Sequence, residues 1–461
     1  MSIDYVSGNR NLIRAVNSEG RILVADNGNF DLIGDLIDLY KVEAAVLHEE
    51  RKVEEKALGR DIRFGDLSDG LAGKYRSLAD QISLINKDFS TDDYVSIMIR
   101  AQEDISPSYL IGMEDFTIAV LSGLGIEPQY MDRGNTWYAQ FTRRAIAFTE
   151  RSQNGEFGLV NGKMFAGLHA CDFDTAFQAG ELSGEAGIGT VAVGLGGALS
   201  DRTWIDGRYF QGKFLEFDLR IPRSYLRVIE IICGLQLGYA SVTGERLAMH
   251  GLGIGTPILV LLIGALSDRD TFLAVDSTAP IKDAASSKTI SLYVDEPAPR
   301  KLKADKIIEY WLRDGIEWDC ACPYCRNFET RFPSNVTEAR DWWLSEGKPK
   351  ITSSDLYGEA PLTRFFPLLS NPSGEVRSLA AEARIGHNHW VLQRIESFTR
   401  DCDSLDLENR IMMVNEKVEA YLSGEGGSAG WQNVVAICWD LVSGTMRQLY
   451  EIRSGFHFDK K

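Results

Sequence analysis

Phe272-Leu273-Ala274-Val275-Asp276 is a short apolar run that stops on a carboxylate. Two other runs stop the same way: Ile22-Leu23-Val24-Ala25-Asp26 and Tyr109-Leu110-Ile111-Gly112-Met113-Glu114-Asp115. Runs this short, rich in β-branched residues and closed by polar or Gly positions, read as strands buried on both faces. Further runs of the kind lie at residues 95–99, 157–160, 188–193, 247–249 and 290–294. Most are separated by segments long enough for a helix, such as 30–55 and 138–151. That alternation implies an α/β protein with a parallel sheet, and eight such strands make one (β/α)8 TIM barrel. One interval breaks the pattern, because 95–99 and 109–113 lie too close for a helix between them.

After residue 294 the texture changes. A Pro-containing connection at 295–303 leads to an expected helix at 305–313 and then to three clustered cysteines. Residues 326–380 form an irregular stretch containing Trp342-Trp343, and 382–421 read as helical. A Gly/Ser break at 423–430 precedes a last apolar segment, 434–449. The expected organisation is a barrel catalytic domain over 1–300, a zinc-binding subdomain with a long insertion over 301–400, and a helical C-terminal segment over 401–461.

The 461 residues carry 49 Lys and Arg against 66 Asp and Glu, a formal charge of −17. That balance disfavours broad attraction to a polyanion, whose binding rests on Lys and Arg neutralising phosphates. Net charge does not say where charges lie, so a local basic face stays open. Candidates are Arg143-Arg144 and Arg300-Lys301-Leu302-Lys303, each of which reads equally well as solvated surface. The longest apolar segment, 258–266, spans about half a membrane, and the first dozen residues lack a signal-peptide core. A cytoplasmic protein with no membrane partner is the expectation.

The seven cysteines are an odd number for a disulfide framework. Cys320, Cys322 and Cys325 fall within six positions, and His387 or His389 supplies a fourth ligand. Thiolates and an imidazole around a tetrahedral ion suit Zn2+, and four protein ligands leave no open position, so the site reads as structural. The other reading is a redox CxxC pair or unligated core cysteines; ligand number and spacing favour zinc. His387 is preferred, since His389 lies two residues on and faces away on a helix.

The carboxylates Asp26, Glu114, Asp115 and Asp276 close three strands whose ends meet at one mouth of a barrel. Any one of them is also well placed to cap the following helix. Three such positions together favour a carboxylate-lined pocket. There, one carboxylate attacks a sugar carbon while another handles the proton, as in retaining glycosidic chemistry.

The motifs resemble those of the tRNA-guanine transglycosylase superfamily, in the family's order. ILVADNGNF (22–30) resembles the motif that places Asp26 against the base, and MEDFT (113–117) the segment that reads the guanine edge, with Glu114 where an aspartate is usual. FGLVNG (157–162) is similar to the strand ending in an amide beside the base, here Asn161. IGTVAVG (188–194) resembles the strand whose backbone meets the exocyclic oxygen, through Gly189, Thr190 and Gly194. LGIGTP (252–257) resembles the loop before the nucleophile strand, with Gly253, Gly255 and Pro257. In FLAVDSTAP (272–280) Asp276 matches the nucleophile and Ser277 its neighbour, while CACPYC (320–325) and HNHW (387–390) resemble the zinc knuckle.

The departures from the family are specific. Asn29 stands where the first motif has a glycine, and Leu195 where a glutamate follows the glycine-rich strand. The Pro-Thr-Arg that follows the nucleophile in bacterial queuosine enzymes is absent, the Cys325-to-His387 interval is much longer, and no archaeal-type RNA-binding extension is evident. The resemblance therefore implies a divergent branch, of which the DNA-modifying transglycosylases are the best-known example. It implies exchange of guanine for a 7-deazaguanine such as preQ0, in DNA before tRNA; at a charge of −17, gripping a polyanion then calls for a concentrated basic face, a second copy or a partner protein. Two alternatives stay open: the same exchange on tRNA, and a catalytically inactive barrel acting as a binding subunit.

Overall fold

A computed structural model describes residues 24–25, 29–59, 62, 67–89, 91–104, 107–126, 136–157, 163–211, 213–268, 271, 273–294, 301–304, 320–325, 374–423 and 429–455. The chain opens with β1 (Val24–Ala25), α1 (Asn29–Leu58), α2 (Asp69–Phe89), α3 (Asp92–Glu103), β2 (Tyr109–Ile111), α4 (Thr117–Gly123) and α5 (Thr136–Gln153). Then come β3 (Lys163–Leu168), α6 (Phe173–Glu185), β4 (Thr190–Gly194), α7 (Gly196–Ser200), β5 (Trp204–Phe210), β6 (Lys213–Pro222), α8 (Arg223–Thr243), β7 (Ala248–Leu252) and α9 (Pro257–Gly264). The last elements are β8 (Leu273–Asp276), α10 (Ala279–Ala285), β9 (Thr289–Ser291), β10 (Lys301–Lys303), α11 (Gly374–Cys402), α12 (Leu407–Ser423) and α13 (Ala429–Arg453). Contacts group the chain into two units, one of Met1–Leu252, Arg269–Ala274 and Asp440–Lys461, the other of Gly253–Asp268 and Val275–Trp439.

The first unit is built on a parallel sheet curled as a half-barrel, in the order β1-β2-β3-β4-β7, with β8 next in the order. Alternation along each strand sorts its residues between two faces. Ile111, Phe165 and Ala192 cluster on one face, while Leu110 and Met164 pack with Val95, Met98 and Ile99 on the other. Where the sequence leads to a closed eight-strand barrel, the described residues form five parallel-paired strands with β8 next in the order.

Three candidate strands account for the difference. Residues 95–99 lie in α3, because Thr91 caps the Tyr94 N–H at 3.4 Å, Asp92 and Asp93 favour the positive helix start, and Val95, Met98, Ile99 and Gln102 recur on one buried helical face. Of 157–160 only Phe157 is described, in the turn after α5, and the strand of this region is β3. Residues 290–294 begin inside β9, which pairs antiparallel with β10 outside the parallel sheet. The β5–β6 hairpin was not expected from the sequence at all.

Helices α6 and α8 approach closely enough to exclude any side chain at three glycines. A Cβ on Gly238 would lie 1.9 Å from the Phe177 carbonyl oxygen, one on Gly234 2.5 Å from Phe173 O, and one on Gly180 2.4 Å from Leu235 O. Helix α8 is long and apolar enough to cross a membrane by composition, but 83% of its most apolar window is buried in the protein. Helices α1, α2 and α4 form a separate core around Leu36, Leu47, Tyr75, Leu78, Phe116 and Leu121.

In the second unit, Arg410 of α12 closes the C-terminus of α9. Its Nη2 donates to Ala265 O at 2.7 Å and Ser267 O at 2.6 Å, while Asp403 balances its charge at 2.8 Å. Both members of this ion pair are buried, and the orphan carbonyls of the helix end supply the hydrogen bonds that such burial demands.

Candidate functional site

The knuckle Cys320–Cys325 and the helix α11 bring four donors together. Sγ of Cys320, Cys322 and Cys325 and a ring nitrogen of His387 all lie within 4.8 Å of one another. His387 Nδ1 is 3.3 Å from Cys320 Sγ and 3.8 Å from Cys325 Sγ. Its other nitrogen, Nε2, lies 3.0 Å from the Ser291 carbonyl oxygen. A proton on Nε2 donated to that carbonyl leaves Nδ1 to a metal and fixes the ring, the usual outer support of a histidine ligand. Two residues along the same helix, His389 is exposed and outside the group.

Local sequence explains the arrangement. The Cys325 N–H donates to Cys322 Sγ at 3.2 Å, folding the knuckle back on itself. Gly386 leaves room for the Tyr324 ring, which a Cβ there would meet at 2.3 Å. Asn388 ties α11 to β9: its Oδ1 accepts from Ser291 N at 2.8 Å, and its Nδ2 donates to Pro280 O and Thr289 O. Without an ion, hydrogen bonds from Cys320 and Cys325 push the Cys322 thiol far down. Burial opposes a charged His387, but hydrogen bonds to Cys320 and Cys322 outweigh it and raise the imidazole to about 10. Three thiols and an imidazole within this reach are the donor set of a tetrahedral zinc site. All seven cysteines are unbridged.

In the first unit, the segments after β2 and β3 bring Glu114 against His169, whose Nε2 meets a Glu114 carboxylate oxygen. Both side chains are largely buried, at 12% and 10% exposure. Gly167 makes this possible. A Cβ on Gly167 would lie 2.9 Å from Glu114 Cβ, while Gly194, at the end of β4, lies beside the His169 ring with room for an ordinary contact. Burial works against charging His169, yet the Glu114 carboxylate and, less, Asp115 raise its pKa above the ordinary value. Asp115 itself is raised by burial, against the pull of Arg144, which reaches it at 2.9 Å. Asp115 Oδ1 accepts from Thr117 N at 3.1 Å, a local turn that leads into α4.

In the second unit, Asp276 ends β8 with its side chain exposed, and its Oδ1 accepts from Gly253 N at 3.0 Å. Ser277 Oγ accepts from Ala279 N at 2.9 Å to start α10. Gly255 lies so close that a Cβ would be 2.8 Å from Ser277 Cβ.

Two of the residues singled out from the sequence, Asp26 and Asn161, lie outside the described residues. Gly189 and Thr190 stand at the start of β4, the opposite end of the strand from Gly194. Gly189 O accepts from Ala248 N at 3.0 Å and Thr190 Oγ1 donates to Met164 O at 2.7 Å, so both serve the sheet rather than its C-terminal end. Leu195 is fully buried. Of the basic candidates, Arg144 is held by Asp115 and Lys301 by Asp283 at 2.6 Å.

His169 was not found from the sequence, because the strand was placed to end at Asn161. The signal was present: one of only six histidines directly follows the apolar run 164–168. The chain matches no protein-family model and no curated protein.

Proposed function

We propose that this protein is a guanine transglycosylase that exchanges guanine for a 7-deazaguanine of the preQ0 kind in DNA, through Asp276. The observation that carries the reading is the Asp276 carboxylate at the C-terminal end of β8, exposed and oriented by the Gly253 N–H. Ligands of parallel α/β sheets bind beyond the carboxyl ends of the strands. Within the first unit, Glu114 and His169 follow β2 and β3 and set an acceptor beside a donor.

In this reading the target nucleotide leaves its stack, since the glycosidic carbon is inaccessible inside it. An Asp276 oxygen attacks the sugar C1′, the C1′–N9 bond breaks, and guanine departs taking a proton at N9. The sugar remains as an ester of Asp276. The incoming base loses its N9 proton, attacks C1′ and expels the carboxylate, restoring Asp276. Asp26 is the candidate that moves the proton. We infer also that Cys320, Cys322, Cys325 and His387 hold one structural Zn2+, which fastens the knuckle to α11 and β9 and takes no part in these steps.

The same exchange on tRNA is the first alternative. An inactive barrel serving as a binding subunit is the second, and the buried Leu195, where the family has a glutamate, is the observation in its favour. Incubating the protein, prepared with whatever it copurifies with, with labelled preQ0 and either duplex DNA or tRNA tests all three: label in DNA is expected, label only in tRNA selects the first alternative, and label in neither selects the second.

A further inference from the structure

We propose that Tyr293, Trp390, Arg394, Phe398 and Lys417 hold an unpaired nucleic-acid strand, with its bases on the rings and its phosphates on the cations. This rests on the base-exchange reading above for its ligand, and adds a contact for the strand that carries the reacting nucleotide. Rings and cations alternate along the row. Arg394 Cζ lies 5.4 Å from the centroid of the Trp390 ring and 5.4 Å from that of Tyr293. Lys417 Nζ lies 5.5 Å from the Tyr293 centroid and 5.4 Å from that of Phe398. The order is therefore Trp390, Arg394, Tyr293, Lys417, Phe398, and all of them belong to the second unit, as Asp276 does.

Helical spacing makes the row. Trp390, Arg394 and Phe398 recur every four residues on α11 and so share one face. The packing seam is made by other residues: Val391 and Ile395 of α11 and Val414 and Val418 of α12 are the buried ones. One position before that seam the side chains lie at its rim, where Arg394 is exposed and the Trp390 and Phe398 rings are half-buried. Among the described residues no carboxylate is ion-paired with Arg394. Trp390 follows His387 by one turn, with ring centroids 6.3 Å apart, so the turn that carries the candidate metal ligand also starts the row.

A single strand alternates in the same way, flat bases with charged phosphates. Stacking on aromatic faces is indifferent to sequence, and an arginine adds both a cation–π contact and a phosphate partner. An enzyme that extrudes a nucleotide leaves its neighbours unstacked, which supplies unpaired bases to such a row. An acidic peptide would satisfy the cations and leave the rings uncovered.

Fluorescence anisotropy with labelled oligo(dT), and with an abasic strand of the same length, tests this on the protein prepared with whatever it copurifies with. Trp390→Leu is expected to weaken oligo(dT) at least about fivefold, the loss of one stacked base, and to leave the abasic strand unchanged. Arg394→Gln is expected to weaken both strands and to make the slope of log Kd against log salt shallower by about 0.7, the loss of one phosphate contact. Oligo(U) run beside oligo(dT) tells RNA from DNA. Should Trp390→Leu melt below the wild type, Arg394→Gln carries the test, since that side chain is exposed. Variants that bind both strands as the wild type does, or a wild type that binds neither at about 20 mM salt, overturn the proposal. Transfer of labelled preQ0 by the wild type is measured alongside. Transfer, with strand binding unchanged in the variants, removes the row and leaves base exchange. Strand binding that the variants weaken, without transfer, leaves the row and removes base exchange.

Discussion

The Gly253 N–H and the Asp276 Oδ1 are 3.0 Å apart, and this bond joins the residue that follows β7 to the last residue of β8. Gly253 has φ +90, a conformation that strains any residue with a Cβ. The hydrogen bond fixes the direction of the carboxylate, a requirement of a nucleophile. Glycine at 253 and aspartate at 276 therefore act as one unit.

Asp276→Asn is expected to abolish base exchange, by at least about 1,000-fold, with zinc content and melting temperature unchanged. Gly253→Ala is expected to lower exchange less, through about 1–3 kcal/mol of local backbone strain that misdirects the carboxylate. Transfer of labelled preQ0 and trapping of the sugar ester by denaturing electrophoresis measure both. Near-normal exchange by Asp276→Asn sinks the assignment of the nucleophile.

The metal centre gives a prediction independent of any substrate. Elemental analysis should find about one zinc per chain. Cys322→Ser and His387→Ala should lose it and lower the melting temperature, because the free energy of metal binding is also folding free energy. His389→Ala should keep the metal, since its side chain is exposed and outside the cluster. The reverse result for the two histidines would reassign the fourth ligand.

How much of this was legible beforehand depends on whether neighbours or distance set the outcome. The metal ligands could be read because knuckle spacing is local and the chemistry of thiolate and imidazole is specific. The strand ends at Glu114 and Asp276 could be read because apolar runs stop there. Residues 95–99 misled because five residues are too few to separate a strand from a helix face; the Thr91 cap and the later Gln102 decide it. The motif at 188–194 did not tell that Gly189 and Thr190 stand at the opposite end of β4 from Gly194, because a motif does not fix the direction of its strand. The α6–α8 contact depends on glycines about fifty positions apart along the chain, Gly180 and Gly234 among them, and such pairing has no local signature.

Folding stability of the first unit should fall as pH rises through neutrality. Burial holds the Glu230 carboxyl at about 7 in the folded chain, against 4.5 as an ordinary value, even with Arg208 paired to it. Between those values the folded state holds a proton that the unfolded state has released, so the stabilising contribution is complete below about 4.5 and is lost as pH passes 7. Denaturant midpoints at a series of pH values should show that slope in the wild-type protein and a reduced slope in Glu230→Gln. The variant should also be less stable overall, because Arg208 loses its buried counter-charge. An unchanged slope assigns the pH dependence to other groups.

The charge of the chain bears on how it would hold a nucleic acid. A chain at −17 gains little from a polyanion unless basic residues are gathered on one face or brought by a partner. Two of the basic candidates are already engaged, Arg144 by Asp115 and Lys301 by Asp283. Binding of the isolated chain to DNA should therefore be weak and should fall steeply with added salt. Exchange should require a second subunit, either another copy or a basic partner protein, and adding it should raise affinity and flatten the dependence on chain concentration. DNA should be preferred over tRNA, because the motifs kept are those around base and sugar, while the features of the tRNA enzymes are altered or absent. The decisive measurement is labelled preQ0 transfer at matched ionic strength, by the protein prepared with whatever it copurifies with. Incorporation into tRNA but not DNA would sink the DNA reading and leave the aspartate chemistry in place.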